Sequence, residues 1–506
     1  MKKGKEMVAH AQRSPFDHAP CFEDMTSSLQ STARQPKGML KETREVVALA
    51  RKFKEEVMRP ITLSMDRQMQ KDPEYLPWEF VRKANEWGFY TLWVPRIFGG
   101  KGYNSPSMSY FLEELGSECL GLSNLIGVHY LAVVTMFATF NIRLINKLLR
   151  EVEDGQKTGI PCLLSLAITE PGAGTDVEEV ELVDKGNVGC QATKVEGGYL
   201  INGSKIFISS GHVSRWHIVI CYEDLKNPSD TMLVLPVKTG SKGFSFGRKE
   251  HKMGVKICPA SELNFEDCFV PDDLVLMNKE QNQKNRRNNK QTNSQMIDYV
   301  VSTSRAGVSA WGTGAARGAF ENALDFAINT EVNGKRLVNH EWAQAMLAEM
   351  YKNVAISRLS YVETNYANGL CGLYKTIQFK PLFYYFKIVP KIVIDYIIRP
   401  IINLPVTTWV FRKIQLDGQT DAQFHRTSGW ASLAKFTGTD AGVKNCQMAL
   451  EIMGQAGLRQ DRRAEKILRD SKLLQIYEGT NQLNRINLFK CLAAQGHSQV
   501  RVFEHE

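Results

Sequence analysis

No C-x-x-C pair occurs in this chain, although ten cysteines are spread over its 506 residues. Because zinc sites and iron–sulfur clusters usually use closely spaced cysteines, this pattern argues against a metal cluster, and we predict no metal site. Scattered single thiols are typical of a reducing compartment, so we expect a cytoplasmic protein, or a mitochondrial-matrix protein if the source is eukaryotic. The basic N-terminus is not followed by an apolar segment, so we expect no secretory signal.

An extreme composition is also absent. Apolar residues make up 43% of the chain and charged residues 23%, which is ordinary for a folded soluble protein. The net charge of +9 is modest for this length, so it favours anionic ligands or membrane surfaces without indicating nucleic acid. We expect no nucleic-acid partner. The length allows two or three domains with a substantial core.

The hydrophobic pattern changes period along the chain. Apolar residues first recur at helical spacing, with Pro60 predicted to end the first helix; short β-rich runs with tight turns follow, and helical spacing then returns from Met296. The predicted parts are an N-terminal arm (1–38), an α-helical domain (39–158), a β-domain (159–277), a polar basic loop (278–295), a C-terminal helical domain (296–495) and a tail (496–506).

One stretch of the C-terminal domain, residues 370–416, departs from an ordinary helical core. Its aromatic and aliphatic side chains are interleaved with seven basic residues and a single acid, Asp395. No run within it reaches the roughly 18 uncharged apolar residues that a membrane span requires. Two alternatives remain open: a surface that contacts an anionic membrane, and a hairpin packed on the core or on a partner subunit.

Two glycine-containing motifs frame the β-domain. In Leu166–Asp176 (LAITEPGAGTD) a strand leads into a tight loop whose backbone N–H groups and hydroxyls are available to a polar ligand. Gly198–Gly211 (GYLINGSKIFISSG) is predicted to form a hairpin that turns at Asn202–Gly203, with Phe207 and Ser209 on one face. Either motif alone is also compatible with an ordinary turn or hairpin.

A third motif, Gln475–Arg485 (QIYEGTNQLNR), lies near the end of the chain. It places Glu478 at a break between two predicted helices, and the Thr480 hydroxyl is expected to cap the second helix. A carboxylate at such a break is either a general base or an ordinary polar residue, and the pattern alone leaves both readings open.

In this order and architecture, the three motifs together resemble the acyl-CoA dehydrogenase family of flavoproteins, over about residues 40–490. The resemblance implies an α+β multi-domain fold with an N-terminal α-helical domain, a middle β-barrel-like domain and a C-terminal four-helix bundle. It also implies FAD as cofactor, an acyl-CoA substrate, an electron-transfer flavoprotein as acceptor, and a homodimer or homotetramer.

The resemblance also assigns roles to individual residues. Glu478 matches the base that removes the α-proton of an acyl-CoA thioester while the β-hydride passes to the flavin; the position used by some members on another helix is Ser304, which cannot serve. Arg305 is expected at the start of that helix. The implied FAD-binding positions are Leu166, Ile168, Thr169, Gly174, Thr175, Phe207, Ser209, Thr480 and Gln482. The implied substrate-binding positions are Thr175, Arg305, Tyr477 and Gly479.

The chain also departs from the family pattern. An Arg and a Phe that are common in the family's FAD-binding segment are replaced by Thr330 and Asn333. Acyl-CoA oxidases and flavin monooxygenases share the fold and remain alternatives, as does a non-catalytic relative that binds membranes or nucleic acid. Four cations of the 278–295 tract either contact CoA phosphates or only keep a loop soluble: Lys284, Arg286, Arg287 and Lys290.

Overall fold

The computed structural model describes Ser28, Ser31 and residues 35–282, 287–494 and 499–503. Most of the predicted arm and tail lies outside these residues. The described chain is helical, then β, then helical, so the predicted order of the three parts is confirmed.

The N-terminal domain is built from helices. They are α1 (Lys37–Phe53), α2 (Arg59–Lys71), α3 (Trp78–Glu86), α4 (Pro106–Gly116), α5 (Leu120–Thr139) and α6 (Ile142–Thr158). The prediction that Pro60 ends the first helix is wrong. A π-helical turn, Lys54–Met58, joins α1 to α2, and Pro60 occupies the first turn of α2, where a missing backbone N–H is tolerated.

Helix α5 forms the centre of this domain. Among the described residues it is the one helix whose length and apolar composition would allow it to cross a membrane, and 78% of its most apolar window is buried inside the protein. It packs on the first strand of the β-domain and on the long C-terminal helix that follows that domain. It thereby positions Ser123 and Asn124, whose hydrogen bonds to C-terminal residues are described below.

The β-domain contains a seven-stranded sheet in the order β1-β4-β2-β3-β7-β6, with β5 paired to β4. Its strands enclose a separate apolar core that includes Ile201, Leu235 and Phe265. A short helix, α7 (Val180–Val183), connects β1 to β2. The strands are β1 (Leu164–Ala167), β2 (Gln191–Val195), β3 (Gly198–Ser209), β4 (Trp216–Tyr222), β5 (Met232–Lys238), β6 (Phe244–Lys249) and β7 (Ala260–Pro271).

The predicted hairpin at Asn202–Gly203 is wrong, because β3 runs through it as one strand. The register with β7 shifts there, and the Asn202 side chain bonds to the backbone and side chain of Asp267 on the partner strand. A second irregularity falls between Lys205 and Ile208 and includes Phe207, whose φ is 57°. The alternation of side chains between the two faces of the strand is therefore interrupted at Phe207. The spacing of two residues no longer places Phe207 and Ser209 on one face, as the sequence predicted.

The C-terminal domain is again helical. A small hairpin, β8 (Glu331–Val332) and β9 (Lys335–Arg336), precedes its second long helix. The helices are α8 (Lys279–Asn282), α9 (Asn289–Asn329), α10 (Glu341–Asn368), α11 (Gly372–Ile377), α12 (Lys380–Ile388), α13 (Lys391–Val393), α14 (Arg399–Ile402), α15 (Pro405–Arg412), α16 (Asp421–Met453), α17 (Ala464–Leu474) and α18 (Asn481–Leu488).

The 278–295 tract is not one loop. Helix α9 begins at Asn289, because Asn288 and Gln291 form a reciprocal capping box. Arg287 bonds to the Leu416 and Gln419 carbonyls and to Asp421, and Lys290 pairs with Asp184, so both cations are engaged within the chain. Lys284 and Arg286 lie outside the described residues.

Small residues let α9 pack closely against α16. A Cβ atom on Gly312 would lie 2.4 Å from the backbone of Gly438, closer than atoms can approach. On the same helix a Cβ on Gly307 would meet its nearest neighbour, the Leu112 side chain, at 3.4 Å. The contact between α9 and α16 therefore depends on glycine at position 312 and not at 307.

Alanine at these two positions should have opposite effects on stability. We expect Gly312→Ala to lower the free energy of unfolding by about 1–3 kcal/mol through overpacking. Gly307→Ala should raise it by up to about 1 kcal/mol, because alanine loses less backbone entropy in a helix. Urea unfolding of both variants measures the difference. Equal effects would show that α9 and α16 separate without cost at Gly312.

Candidate active site

The turn between α17 and α18 has an unusual backbone. Glu478 has φ of 56° and Gly479 has φ of 76°, so two consecutive residues are left-handed. This conformation costs a non-glycine residue on the order of 1–3 kcal/mol and persists only where surrounding contacts fix it. Here Asn484 donates from its side-chain amide to the carbonyls of Glu478, Gly479 and Thr480. The Thr480 hydroxyl accepts the Leu483 N–H, which confirms the predicted helix cap.

Two neighbours on α9 contact Glu478. The Ser304 hydroxyl donates to Oε2 of the half-buried Glu478 carboxylate at 2.6 Å. The fully buried Arg305 donates from Nε to the Glu478 carbonyl at 3.3 Å and from Nη1 to the Ser432 hydroxyl at 3.1 Å. Arg305 lies in the middle of α9, so its predicted place at a helix start is wrong, because the capping box begins the helix earlier.

A second carboxylate, Glu178, lies beside this turn. Its Oε1 accepts the Gly479 N–H at 2.7 Å, and its Oε2 lies 3.5 Å from Nη2 of Arg305. The buried guanidinium therefore contacts the Glu178 carboxylate and the Glu478 carbonyl. The sequence indicated only that Glu178 follows the glycine-rich motif by a few residues, and nothing in the local pattern places it against a turn 301 residues away.

Burial and neighbouring charges shift the pKa values of the ionisable groups near this turn. Burial, with the Glu478 carboxylate as the next cause, raises the pKa of Glu178 from 4.5 to about 7. Burial likewise raises the pKa of Glu478, while the Ser304 hydrogen bond and the Arg305 charge oppose the rise. Lys435 donates to the Gly479 carbonyl at 2.7 Å, and burial lowers its pKa to about 7. The base candidate is therefore tuned toward neutral pH, where a general base works best.

Glu178→Gln should flatten the dependence of stability on pH. A carboxyl group whose pKa is higher in the folded than in the unfolded protein contributes stability at low pH. That contribution is lost as pH rises from about 4.5 to about 7. The substituted amide keeps an acceptor for the Gly479 N–H but has no charge, so we expect a smaller fall in the free energy of unfolding over this interval. Urea unfolding across this pH range measures it, with Glu181→Gln, about half exposed, as the control. If the free energy of unfolding falls as steeply with pH in Glu178→Gln as in the native protein, the raised pKa of Glu178 is contradicted.

The Glu478 N–H is a candidate donor to a ligand. Within the part of the chain that the structure describes, it forms no hydrogen bond. An open backbone N–H in a turn of this kind suits an oxygen carrying negative charge. The turn thus carries a carboxylate and an open backbone donor on the same residue, Glu478.

The predicted FAD-binding residues from β1 and β3 come together. The Thr169 carbonyl accepts the Ile206 N–H at 3.0 Å, and the buried Lys205 pairs with Glu170 at 2.6 Å, so the glycine-rich loop lies against the segment that carries Phe207. Phe207 is 51% exposed, unusual for an aromatic inside a domain. Five other predicted positions are half-buried: Leu166, Ile168, Thr169, Thr175 and Ser209.

This face of the sheet is tied to the helix that leads to Glu478. The Val255 N–H donates to Asp470 on α17 at 2.6 Å, and Gly254 lies against the Arg469 carbonyl. Of the remaining predicted FAD-binding positions, Gly174 and Gln482 are exposed and Thr480 is half-buried. An exposed aromatic beside hydroxyls and half-buried aliphatic side chains fits one face of a flavin ring, so the residues present suit FAD.

The predicted substrate positions Tyr477 and Gly479 flank Glu478. The Tyr477 hydroxyl accepts from Asn124 of α5 at 3.4 Å, and its ring packs edge-on against Trp311, which donates to Ser123. The Gly479 N–H is already occupied by Glu178. Gly479 therefore holds the turn in place, and the open donor is the N–H of the preceding residue.

The altered segment near Thr330 forms the β8–β9 hairpin. Its two-residue turn, Asn333–Gly334, has positive φ at both positions, which Asn and Gly adopt readily. Lys335 and Arg336 on β9 are exposed. The replacement of Phe by Asn333 is thus explained by the turn, and two cations remain exposed in the segment that usually carries the FAD-contacting Arg.

Two helical domains around a β-domain, with residues that suit FAD, define a class: a flavin-dependent enzyme of three domains. Acyl-CoA dehydrogenase models match the N-terminal domain over 41–142, the middle domain over 165–268 and the C-terminal domain over 295–367 and 410–492. The chain belongs to the acyl-CoA dehydrogenase family, a family of FAD-dependent oxidoreductases. The C-terminal model skips 368–409, so most of the 370–416 stretch is an insertion relative to the family.

Individual relatives agree with this assignment. The chain is 26% identical over 92% of its length to a probable medium-chain specific acyl-CoA dehydrogenase 2, mitochondrial, from Caenorhabditis briggsae, covering 94% of that protein. A chain from the electron transferring flavoprotein structure of Acidaminococcus fermentans matches with a TM-score of 0.69 at 22% identity, covering 89% of this chain and 97% of that one. A glutaryl-CoA dehydrogenase from Mycobacterium smegmatis in complex with FADH2 matches with a TM-score of 0.66 at 17% identity. The match covers 91% of this chain and 96% of that one.

Proposed function

We propose that this protein removes two hydrogens from the α and β carbons of an acyl-CoA thioester to give the 2-enoyl-CoA, with Glu478 as the base. The observation that carries the proposal is the left-handed turn, where a carboxylate of raised pKa adjoins an open backbone N–H. These are the two groups that deprotonation next to a carbonyl requires. The family assignment supplies the substrate class.

Glu478 and the residues that contact its turn have different roles in the proposed reaction. The Glu478 carboxylate takes the α-proton, and the Ser304 hydroxyl orients that carboxylate through Oε2. The Glu478 N–H donates to the thioester oxygen as negative charge develops on it, an interaction typically worth about 10²–10³ in rate. Arg305, Lys435 and Asn484 hold the turn by its carbonyls, so the donor is fixed before the substrate arrives.

FAD supplies the acceptor for the β-hydride when it is bound. Leu166, Thr169, Phe207 and Ser209 would hold its ring system, and Thr480 with Gln482 would contact its adenosine end. Water must be kept from the base for its pKa to remain high, and the packing of Tyr477 on Trp311 closes one side of the turn.

For the partners we propose an electron-transfer flavoprotein as acceptor and a homodimer or homotetramer as the assembly. The first is supported by the family and by the fold shared with the Acidaminococcus structure. The second is supported by the resemblance to the family, which implies such an assembly. We propose the cytoplasm or the mitochondrial matrix as location, in keeping with the nine cysteines of the described residues, which are all unbridged.

Anaerobic titration of the FAD-reconstituted protein with a panel of acyl-CoAs tests the proposal. Saturated acyl-CoAs of suitable chain length should bleach the flavin. Acetyl-CoA, which has no β-carbon, and pivaloyl-CoA, which has no α-hydrogen, should not. Failure to bind FAD, or bleaching by either control ester, would contradict it. The rate at which the reduced flavin is reoxidised then separates the alternatives. Fast reoxidation by an electron-transfer flavoprotein with slow reoxidation by oxygen indicates a dehydrogenase and not an oxidase or a monooxygenase.

A further inference from the structure

The inserted residues 370–416 form a string of short helices, α11 to α15, on the N-terminal domain. Buried arginines attach them by donating to backbone carbonyls across the contact: Arg399 to Ile97 at 3.0 Å and Arg412 to Thr139 at 3.1 Å. In the opposite direction Arg96 donates to the Phe386 carbonyl at 2.7 Å. One side of the insertion is therefore fixed to the protein. We call the other side, exposed between Lys375 and Ile414, the insert face.

The insert face is unusually apolar. Of the 29 exposed large apolar side chains among the described residues, fourteen lie between Ile377 and Ile414. Ile388, at the end of α12, is 77% exposed, and Ile392 and Tyr396, four residues apart beyond the break at Pro390, are 66% and 77% exposed. Val406 and Trp409 repeat the pattern on α15. Such a concentration marks a surface that is covered by something else, since single exposed apolar residues are normally scattered.

The charges on the insert face have one sign. Its exposed charged side chains are lysines, at 375, 380, 391 and 413, of which Lys391 pairs with Glu153 of α6 at 3.1 Å. The single acid, Asp395, is half-buried and pairs with Arg399. Lys413 lies 4.8 Å from the Trp409 ring centre, so a cation and an amphipathic aromatic are side by side. A second copy of the chain docked by the same face would bring lysines against lysines, which disfavours self-association there.

We propose that the insert face docks on a phospholipid bilayer containing anionic head groups. Ile388, Tyr396 and Trp409 enter the boundary between head groups and acyl chains, and the lysines contact the anionic head groups. Aromatic and aliphatic side chains with lysines among them are the combination that such an interface binds. The proposal does not depend on the proposed reaction.

Vesicle flotation of the full-length, FAD-reconstituted protein tests it. We expect the protein to float with phosphatidylcholine vesicles that contain phosphatidylglycerol and to float poorly with phosphatidylcholine alone. The Ile388→Asp/Tyr396→Asp double variant should lose flotation, while Leu458→Asp, on a 60% exposed leucine elsewhere, should retain it. Bound FAD in each variant shows that the fold is kept.

The lysines give a second, graded readout. Each lysine near an anionic surface contributes about fivefold in binding, so Lys375→Gln/Lys413→Gln should weaken the partition coefficient by about 25-fold and reduce its salt dependence. Equal flotation of the Asp double variant and the native protein, or no flotation of either, would overturn the proposal. So would a change in the solution mass of the Asp variant without a change in vesicle binding, since the face would then join copies of the chain.

Discussion

Glu478→Gln is expected to slow dehydrogenation of bound acyl-CoA by about 10²–10⁴-fold, the range that a positioned general base contributes. Gln keeps the size of the side chain and an acceptor for the Ser304 hydroxyl, but it cannot take a proton. The open N–H of residue 478 is a backbone group and remains. We therefore expect FAD content and acyl-CoA affinity to stay close to native while the rate constant falls, as single-turnover kinetics would show.

Ser304→Ala is the matched control for this prediction. It keeps the carboxylate and removes one hydrogen bond that favours the charged form of Glu478. The pKa of Glu478 should rise, so the acidic limb of the pH–rate profile should move to higher pH, with activity recovered above it. A loss in Ser304→Ala as large as in Glu478→Gln, at every pH, would contradict the assignment of Ser304 to a role that only orients the carboxylate and tunes its pKa.

Arg305→Met is expected to lower the free energy of unfolding by about 3–5 kcal/mol, the cost of removing one partner from a buried charge pair. Arg305 is fully buried, with Glu178 at 3.5 Å and the Glu478 carbonyl at 3.3 Å. Without the guanidinium, less positive charge remains to offset the repulsion between the Glu178 and Glu478 carboxylates. Urea unfolding at a pH above 7, where both acids are most ionised, measures the largest loss.

Two further variants separate charge from packing at this site. Adding Glu178→Gln to Arg305→Met removes one of the two opposed carboxylates, so the double variant should be more stable than Arg305→Met alone. Arg485→Met breaks the exposed pair with Asp440 and should cost about 0–1 kcal/mol. If Glu178→Gln gives no rescue, the loss in Arg305→Met comes from lost packing and not from uncompensated charge.

The sequence predicted those features that depend on local pattern. Helical and strand periods indicated the three parts, and the break before Thr480 indicated the turn and its cap. Local signals failed where tertiary contacts override them. Asn202–Gly203 lies in a bulge because β7 continues alongside it, and the π-turn carries the helix past Pro60.

The contribution of Glu178 could not be predicted from the sequence. Its approach to Gly479 joins two loops 301 residues apart, and no periodicity encodes such a contact. The insertion shows a related limit. Its composition left a buried hairpin and a membrane surface as alternatives. The contacts of Arg399 and Arg412 with the N-terminal domain determine which side of the insertion is buried and which is exposed.

Anaerobic stopped-flow reduction of the bound flavin, using acyl-CoA with deuterium at the α-carbon, tests the central claim most directly. If Glu478 takes the α-proton, the native protein should bleach more slowly with the deuterated substrate than with the ordinary one. Glu478→Gln should hardly bleach with either. An identical rate for the two substrates together with bleaching of Glu478→Gln at the native rate would contradict the assignment of Glu478 as the base.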